Sequence, residues 1–329
     1  MKKKVLLILT GGTITMHKRA DNSLDVQEGM PNELKSILNN IKDRISVDVE
    51  SLYNIDSTDV TIECWKKIAL CIYENYESYD GFVVSHGTDT MAFSASAVSF
   101  ILRNIAKPVV FTGAQLPLSN VYTDGTNNII NSLLLASDYD IAEVVILFGE
   151  KIIRATRARK VSAFDLKAFE SINSEPLGSI GLSFKISDNA KGRRKQTRIK
   201  YEDNFDENII FVKMIPGLKP EVLRDMCKNK SGIILQGFGA GNIPTRFFDV
   251  IKEFSENNIP VVVTTQCMVG KIELELYKVG KKLSSFRVIS AYDMTPEAAT
   301  VKLMWALGKT KEISKIKEYF DRDLVGELS

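Results

Sequence analysis

The chain has 329 residues, of which 44% are hydrophobic and 26% are charged, and its formal net charge is +2. This composition is typical of a globular protein with one large domain or two medium ones. A charge so close to neutral disfavours a nucleic-acid or membrane partner, because proteins that bind either usually carry a concentrated basic excess. Two histidines are too few for a histidine-rich metal site, so we expect no metal.

The first predicted strand is the short apolar run from Val5 to Leu9. Three lysines precede it, as in a secretion signal, but the run is too short and Gly11-Gly12-Thr13 follows where a cleavage region should be. No other stretch is long and apolar enough to span a membrane. We therefore expect a cytoplasmic protein.

Two adjacent glycines end this strand and precede Thr13. Glycines let the backbone approach a ligand closely, which would leave the Thr13 side chain facing that ligand. The simpler interpretation of a lone Gly-Gly-Thr is a tight turn capped by a hydroxyl. The ligand-binding interpretation gains support because polar residues recur at the ends of other predicted strands.

Strand-like runs alternate with helical patterns from residue 4 to about 150, and a second alternating block begins near Ile209. Such alternation predicts βαβ units and a parallel sheet. We expect an α/β fold with a larger, mostly parallel N-terminal sheet flanked by helices and a smaller C-terminal α/β domain. The predicted boundaries are 1–188 for the first domain, 189–207 for a charged linker and 208–329 for the second domain. The predicted strands are Val5–Leu9, Val47–Tyr53, Phe82–Ser85, Val109–Thr112, Val144–Phe148, Ile209–Met214, Gly232–Leu235, Val261–Thr264 and Arg287–Ser290.

Motifs for several common ligands are missing from the sequence. No strand is followed by G-x-G-x-x-G, and G-x-x-x-x-G-K-[ST] does not occur, so we expect neither a dinucleotide nor a nucleoside triphosphate, and no cofactor. A basic run from Lys191 to Lys200 lacks interleaved aromatic residues and precedes an acidic stretch. A solvated linker is therefore the favoured interpretation of this run over an RNA-binding patch.

The stretch from Ser85 to Met91 places two hydroxyls and a carboxylate between a predicted strand and a predicted helix. Ligands of α/β sheets bind at such turns, because a helix N-terminus offers free N–H groups and the positive end of its dipole. Parallel strands end at one edge of the sheet, so the polar residues that follow them should converge on one pocket. Those residues are Thr13, Ser57, Thr58, Thr88, Asp89 and the segment Gly113-Ala114-Gln115.

Hydroxyl chemistry without a histidine partner requires another activating group. A threonine hydroxyl is a poor nucleophile until a base or a positive neighbour assists it, and a lysine desolvated in a pocket can do so. The candidate is Lys160, just beyond the fifth predicted strand. A lysine in a basic run is usually solvated surface, so Lys160 is a candidate only in combination with Thr88 and Asp89.

Several segments, taken in chain order, resemble the motifs of the bacterial-type L-asparaginases, and the likeness covers nearly the whole chain. The first and third of these segments are highly specific in combination. The last two, together with the lack of a secretion signal, look most like the type I, cytoplasmic branch. The matching segments are residues 10–14, 56–59, 86–91, 112–115, 157–160, 238–242, 265–268 and 293–298.

This resemblance implies two α/β domains, with an active site mainly on the larger one and completed in a homodimer or homotetramer. It implies Thr13 as the nucleophile. Thr88, Asp89 and Lys160 would form a charge-linked set that activates a threonine or the hydrolytic water. The resemblance leaves open which threonine acts first.

The resemblance also assigns groups to the parts of an amino-acid substrate. Ser57 would hold the α-carboxylate and Asp89 the α-ammonium, which agrees with the preference of a carboxylate for a cation. The backbone N–H of Thr88 and the region of Ala114 would face the developing oxyanion, a role suited to turn N–H groups. Thr58, also counted with the substrate-binding residues, occupies a position that is glutamine in the secreted branch.

One departure from the family concerns the loop after the Gly-Gly-Thr turn. This loop usually carries a tyrosine that closes over the substrate, and an ungapped alignment places Ser23 there. Ser23 has no ring to seal the pocket, so we expect a millimolar KM for asparagine or a low kcat. His17 or a residue of a partner subunit are alternative sources of the missing contact.

Three functions compete at this point. The leading one is hydrolysis of the side-chain amide of free L-asparagine to L-aspartate and ammonia. The second is an amidase on glutamine, a peptide amide or a tRNA-linked amidotransferase complex; that last branch carries an N-terminal extension, whereas this chain starts directly at its first strand. The third is a non-catalytic amino-acid sensor, which the joint retention of Thr13, Thr88, Asp89 and Lys160 disfavours.

Overall fold

The structure of the protein is a computed structural model. It describes residues 2–18, 24–26, 30–193, 198–274 and 278–329, with side chains described in these ranges except at 15–18, 24–26, 278 and 279. The chain divides into two compact units, of which the first comprises residues 1–171 and 175–202 and the second comprises residues 172–174 and 203–329.

The first unit contains strands β1 to β14 and helices α1 to α4. Its strands are β1 (Lys3–Gly11), β2 (Met16–Lys18), β3 (Leu24–Val26), β4 (Ile45–Ile55), β5 (Gly81–Ser85), β6 (Leu102–Arg103), β7 (Val109–Thr112), β8 (Val144–Phe148), β9 (Lys151–Arg154), β10 (Ala158–Lys160), β11 (Phe169–Ser171), β12 (Gly178–Ile180), β13 (Phe184–Ile186) and β14 (Lys200–Tyr201). Its helices are α1 (Asn32–Ile41), α2 (Ile62–Glu74), α3 (Met91–Ile101) and α4 (Gly125–Asp138).

The central sheet of the first unit has the order β13-β12-β9-β8-β7-β5-β1-β4. The strands from β8 to β4 are parallel, as the alternating pattern predicts. β9, β12 and β13 extend the sheet in antiparallel fashion and were not predicted. Each has only three or four residues, which is too short for a readable alternation of apolar and polar residues. The expected larger, mostly parallel N-terminal sheet is confirmed.

The parallel strands are continuously apolar because both faces of the sheet are covered. On one face, Val83 and Val110 belong to a buried cluster with Leu133 of α4. Phe82 and Val84 alternate with these residues along β5 and are also fully buried. Burial of each such side chain contributes roughly 1.5–3 kcal/mol, which holds the carboxyl ends of neighbouring strands in register at one edge.

The second unit repeats the parallel arrangement on a smaller scale. Its sheet has the order β15-β16-β17-β18, all parallel, and α8 lies against β16 and β17, which confirms the expected C-terminal α/β domain. Across the described part of the chain, no helix has both the length and the apolar character needed to cross a bilayer. The elements are β15 (Ile209–Lys213), α5 (Pro220–Met226), β16 (Gly232–Gly237), α6 (Phe248–Glu256), β17 (Val261–Thr265), α7 (Lys278–Ser284), β18 (Ile289–Ser290), α8 (Pro296–Lys309) and α9 (Ile313–Phe320).

A lysine and a glutamate are buried together in the second unit. Lys302 on α8 pairs with Glu327, and neither side chain is exposed to solvent. Lys302 Nζ also donates to the carbonyl oxygen of Arg322 at 2.8 Å, and the Glu327 carboxylate accepts from the backbone N–H groups of Leu324 and Val325. The pair therefore fastens the segment after α9 to α8.

Replacement of Glu327 by leucine should destabilise the protein strongly, because the Lys302 charge would stay buried without its counter-ion. We expect the free energy of unfolding to fall by about 3–5 kcal/mol. The double variant Lys302→Met/Glu327→Leu should recover most of this loss, since no charge is then removed from water. Urea unfolding followed by circular dichroism measures both values, and a double variant as unstable as the single one would contradict the expectation.

Candidate active site

Three neighbouring parallel strands end at the same level of the sheet. Leu9 of β1 is paired with Ser85 of β5, and Ser85 is paired with Thr112 of β7. The Thr10 hydroxyl donates to the carbonyl oxygen of Ser85 at 2.9 Å, and the backbone N–H of His86 donates to the carbonyl oxygen of Thr112 at 2.9 Å. These bonds continue the pairing past the strand ends, so the turns after β1, β5 and β7 begin side by side.

The turns after β1 and β5 are in direct backbone contact. Gly12 has a φ of +79°, and a Cβ atom at this position would lie 2.5 Å from the Cα of Gly87. A Cβ atom on Gly87 would in turn lie 2.6 Å from the Cβ of Ser57. No side chain fits at either glycine, and each glycine directly precedes a threonine, Thr13 or Thr88. The sequence-predicted residues Thr13, Ser57 and Thr88 therefore lie on turns that touch one another.

Lys160 joins the two polar residues of the turn after β5. Its Nζ atom lies 2.8 Å from Thr88 Oγ1 and 2.6 Å from Asp89 Oδ1. The Lys160 side chain is only 18% exposed, whereas that of Asp89 is 55% exposed and Thr88 is nearly buried. A cation in contact with a hydroxyl oxygen favours the ionised form of that hydroxyl, so this arrangement can assist proton removal at Thr88.

Lys160 reaches the site from a different element than the sequence indicates. It does not follow the fifth strand directly, because β8 first turns back into the antiparallel strand β9. Lys160 is the last residue of β10, which forms a two-stranded ribbon with β11 and pairs Lys160 with Phe169. The side chain crosses from this ribbon to the turn at the end of β5.

Three further predicted residues occupy distinct environments. Ser57 is buried, and its carbonyl oxygen accepts a hydrogen bond of 2.7 Å from the Thr90 hydroxyl. Thr58 is exposed, and both its backbone N–H and its hydroxyl donate to Asp56 Oδ1 at 2.8 Å. Ala114 is buried in the turn after β7. The hydroxyl proton of Thr58 is thus used in its hydrogen bond to Asp56.

Sequence reasoning missed two residues at the start of α4 that hold the turn after β7. The Asp124 carboxylate accepts from the backbone N–H groups of Gln115 and Leu116 at 3.0–3.1 Å. Asn128 donates to the carbonyl oxygen of Gly113 at 2.9 Å and accepts from the backbone N–H of Gly149 at 3.0 Å. The signal in the sequence was an aspartate and an asparagine four residues apart on one helix face, immediately after a loop.

The loop in which the family carries its tyrosine falls largely outside the residues that the structure describes. Ser23 lies outside the described residues, as does the side chain of His17. The expectation of a weakened lid therefore stays a prediction.

Both parts of the chain match models of one protein family. Residues 4–191 match the N-terminal asparaginase domain, and residues 208–320 match the glutaminase/asparaginase C-terminal domain. The chain belongs to the asparaginase family. The resemblance drawn from the motifs, including its type I branch, is confirmed, and the protein is an enzyme of the amidohydrolase class.

Individual members of the asparaginase family match over nearly the full chain. L-asparaginase from Thermococcus kodakarensis is 35% identical over 99% of both chains, and its solved structure superposes with a TM-score of 0.90, 34% identity and 99% coverage of each chain. L-asparaginase 1 from Escherichia coli is 34% identical over 100% of this chain and 98% of the relative. A glutamyl-tRNA(Gln) amidotransferase subunit from Pyrococcus abyssi is 34% identical over 99% of this chain and 77% of the relative.

His86, in the asparaginase motif after β5, is buried beneath the turn. Its Nδ1 atom lies 2.7 Å from the carbonyl oxygen of Gly87, which can only accept, so Nδ1 carries the proton. Nε2 is buried and has no hydrogen-bond partner among the described residues. Burial lowers the His86 pKa from 6.5 to about 4. The imidazole is therefore neutral near pH 7 and holds the Gly87 carbonyl next to Thr88.

His86 should make the fold sensitive to acid. The His86 pKa is lower in the folded protein than in the unfolded chain, so neutral His86 stabilises the fold fully above about pH 6.5. This stabilisation is lost as the pH falls toward about 4, which lowers the free energy of unfolding by about 3 kcal/mol in total. In the variant His86→Asn, whose amide can still donate to the Gly87 carbonyl, the free energy of unfolding should fall less steeply over this range. Urea unfolding of both proteins at a series of pH values gives the two slopes. Parallel slopes would show that His86 does not titrate as the structure implies.

Proposed function

We propose that the protein hydrolyses the side-chain amide of L-asparagine to L-aspartate and ammonia with a threonine nucleophile. The observation that carries this proposal is the contact of Lys160 Nζ with both Thr88 Oγ1 and Asp89 Oδ1. The names of the full-length relatives support the choice of substrate.

The type I resemblance supports a cytoplasmic location. We also keep 1–188 as the proposed bounds of the domain that carries most of the active site, 189–207 as those of the linker and 208–329 as those of the second domain.

In the proposed reaction, the Thr13 hydroxyl oxygen forms a bond to the amide carbon and its proton is transferred to the departing nitrogen. Thr88 Oγ1 accepts from the Thr13 hydroxyl and so orients it, and the Lys160 cation beside Thr88 stabilises the charge that develops during the transfer. The carbon–nitrogen bond breaks and ammonia is released. Water then adds to the acyl-threonine, the bond to the Thr13 oxygen breaks as that oxygen takes a proton from the water, and aspartate is released. The N–H of Thr88 and the turn at Ala114 are the proposed donors to the oxyanion of each tetrahedral intermediate.

Asp89 and Ser57 are the proposed anchors of the amino-acid end of the substrate, with Thr58 beside them. The Asp89 carboxylate uses one oxygen to bind Lys160 and is more than half exposed, which leaves it able to accept from an ammonium group. Ser57 contacts the Gly87 backbone and so lies beside the turn that carries Asp89. Both ends of an amino acid would then be held next to Thr88.

An amidase of different specificity is the second candidate, because a relative of equal identity is part of an amidotransferase. Ammonia release should be compared for asparagine, glutamine, isoaspartyl amides and short peptide amides. We expect the highest kcat/KM for asparagine. A preference for another amide would reassign the substrate, and tight asparagine binding without turnover would support a sensor.

Removal of any member of the catalytic set should abolish most turnover. Thr13→Ala, Thr88→Val and Lys160→Met should each lower kcat for ammonia release at least about a hundredfold, because each removes the nucleophile or a group that assists its proton transfer. The matched control is Lys167→Met, which removes an exposed lysine of the neighbouring loop that pairs only with Glu150 at 3.2 Å among the described residues. The control should retain its activity within about twofold. Near-normal ammonia release by any of these three variants would exclude the substituted residue from the mechanism.

We also propose a homodimer or homotetramer. Large apolar side chains are almost fully exposed on two loops beside the site, namely Val121, Tyr122 and Phe164. Exposed apolar groups that cluster on a surface commonly mark interfaces between chains.

Replacement of these side chains should weaken assembly. Tyr122→Ser/Phe164→Ser should shift sedimentation toward the monomer, because the interface loses two large apolar contacts. Leu182→Ser is the control, since Leu182 is also fully exposed but lies on the β12–β13 hairpin. A fully active wild-type monomer would contradict the proposed assembly.

A further inference from the structure

Gln115 touches the catalytic turn and the hairpin loop that follows Lys160. Its Oε1 atom lies 3.2 Å from Thr88 Oγ1. Its Nε2 atom lies 3.1 Å from the carbonyl oxygens of both Ala163 and Asp165. One side chain therefore connects the turns after β5 and β7 with the loop between β10 and β11.

The contacts of Gln115 fix the orientation of its amide. The carbonyl oxygens of Ala163 and Asp165 can only accept, so the amide nitrogen must face them and use both of its N–H groups. The amide oxygen then faces Thr88 and cannot donate. The hydrogen bond between the two side chains must therefore run from the Thr88 hydroxyl to Gln115 Oε1.

This direction determines how the Thr88 hydroxyl is used. A hydroxyl has one proton and two lone pairs. The proton points to Gln115, and one lone pair accepts from Lys160 Nζ at 2.8 Å. One lone pair of Thr88 Oγ1 is left for a reacting group, and the hydroxyl cannot rotate without breaking a bond.

The backbone of Gln115 is itself held in place. Its N–H donates to both oxygens of Asp124 at 3.0 Å. On the other side, the loop that accepts from Gln115 also has a bond of its own, since Ser162 Oγ accepts from the backbone N–H of Asp165 at 2.9 Å. Gln115 thus bridges two segments that are each locally ordered, and one of them leads directly to Lys160.

We propose that Gln115 is a positioning residue that directs the Thr88 proton away from the reacting group and anchors the loop that follows Lys160. The proposal rests on the function given above, and it adds a residue that acts through Thr88 and Lys160 rather than on the substrate. It requires both halves of the amide, the acceptor for Thr88 and the donor for the loop.

Two substitutions by side chains similar in size to glutamine distinguish the loss of both halves of the amide from the loss of the donor alone. Gln115→Met removes both, and it should lower kcat for asparagine about 10–100-fold while KM changes less than about threefold. Gln115→Glu keeps an acceptor for Thr88 but, when ionised, has no donor for the two carbonyl oxygens. Its kcat relative to wild type should rise as the pH falls through the range in which the carboxyl gains a proton, because the neutral acid restores one donor. The control is Ser162→Ala, which removes a hydroxyl that accepts inside the same loop but leaves the Gln115 contacts with Thr88, Ala163 and Asp165 in place, and it should keep kcat within about threefold.

A measurement independent of catalysis completes the test. Hydrogen exchange followed by mass spectrometry should show faster exchange of the backbone amides of residues 161–168 in Gln115→Met than in wild type, by about tenfold. Unchanged exchange would overturn the anchoring role. Near-normal kcat in Gln115→Met, or a pH-independent ratio for Gln115→Glu, would overturn the role at Thr88. Failure of the wild-type protein to release ammonia from asparagine would instead count against the proposed function. The hydrogen-exchange result would still show whether Gln115 anchors the loop.

Discussion

The backbone contact between Gly12 and Gly87 is the constraint on which the rest of the site depends. Two chain turns that would each be ordinary in isolation are packed so closely that no Cβ atom fits between them. The threonine after each glycine is consequently carried to the same edge of the sheet. The buried apolar strands beneath them keep this contact rigid, because a shift of one strand would displace a close-packed core on both faces.

The positive charge of the site comes from a separate element. The sheet edge itself supplies hydroxyls, backbone N–H groups and the Asp89 carboxylate, while the cation is carried by the β10–β11 ribbon. Lys160 is largely shielded, yet it contacts an exposed carboxylate, so the positive charge is balanced on the side that faces solvent. A substrate ammonium that approached Asp89 would therefore meet a carboxylate that is already oriented by its bond to Lys160.

Much of the fold and part of the site could be predicted because they follow from local patterns. The parallel strands are buried apolar runs, and Thr13, Thr88 and Asp89 follow two of them directly in sequence. Lys160 was identified, but its element was not, because the four-residue strand β9 that intervenes has no distinct pattern. Gln115, Asp124 and Asn128 received no supporting role because their bonds cross between turns that only the folded chain brings together.

The bonds that hold the turn after β7 have a consequence for how this site can vary among related chains. Asp124 and Asn128 bind backbone atoms, and Gln115 reaches the loop through two carbonyl oxygens. Every residue except proline offers the same N–H group, and every residue offers the same carbonyl. Partner positions such as Ala163 and Leu116 are therefore free to change without a compensating change at Gln115 or Asp124. In an alignment of related chains, these contacts would therefore produce no correlated substitutions between the two positions in contact. Covariation analysis would miss them, although each contact depends on one particular side chain.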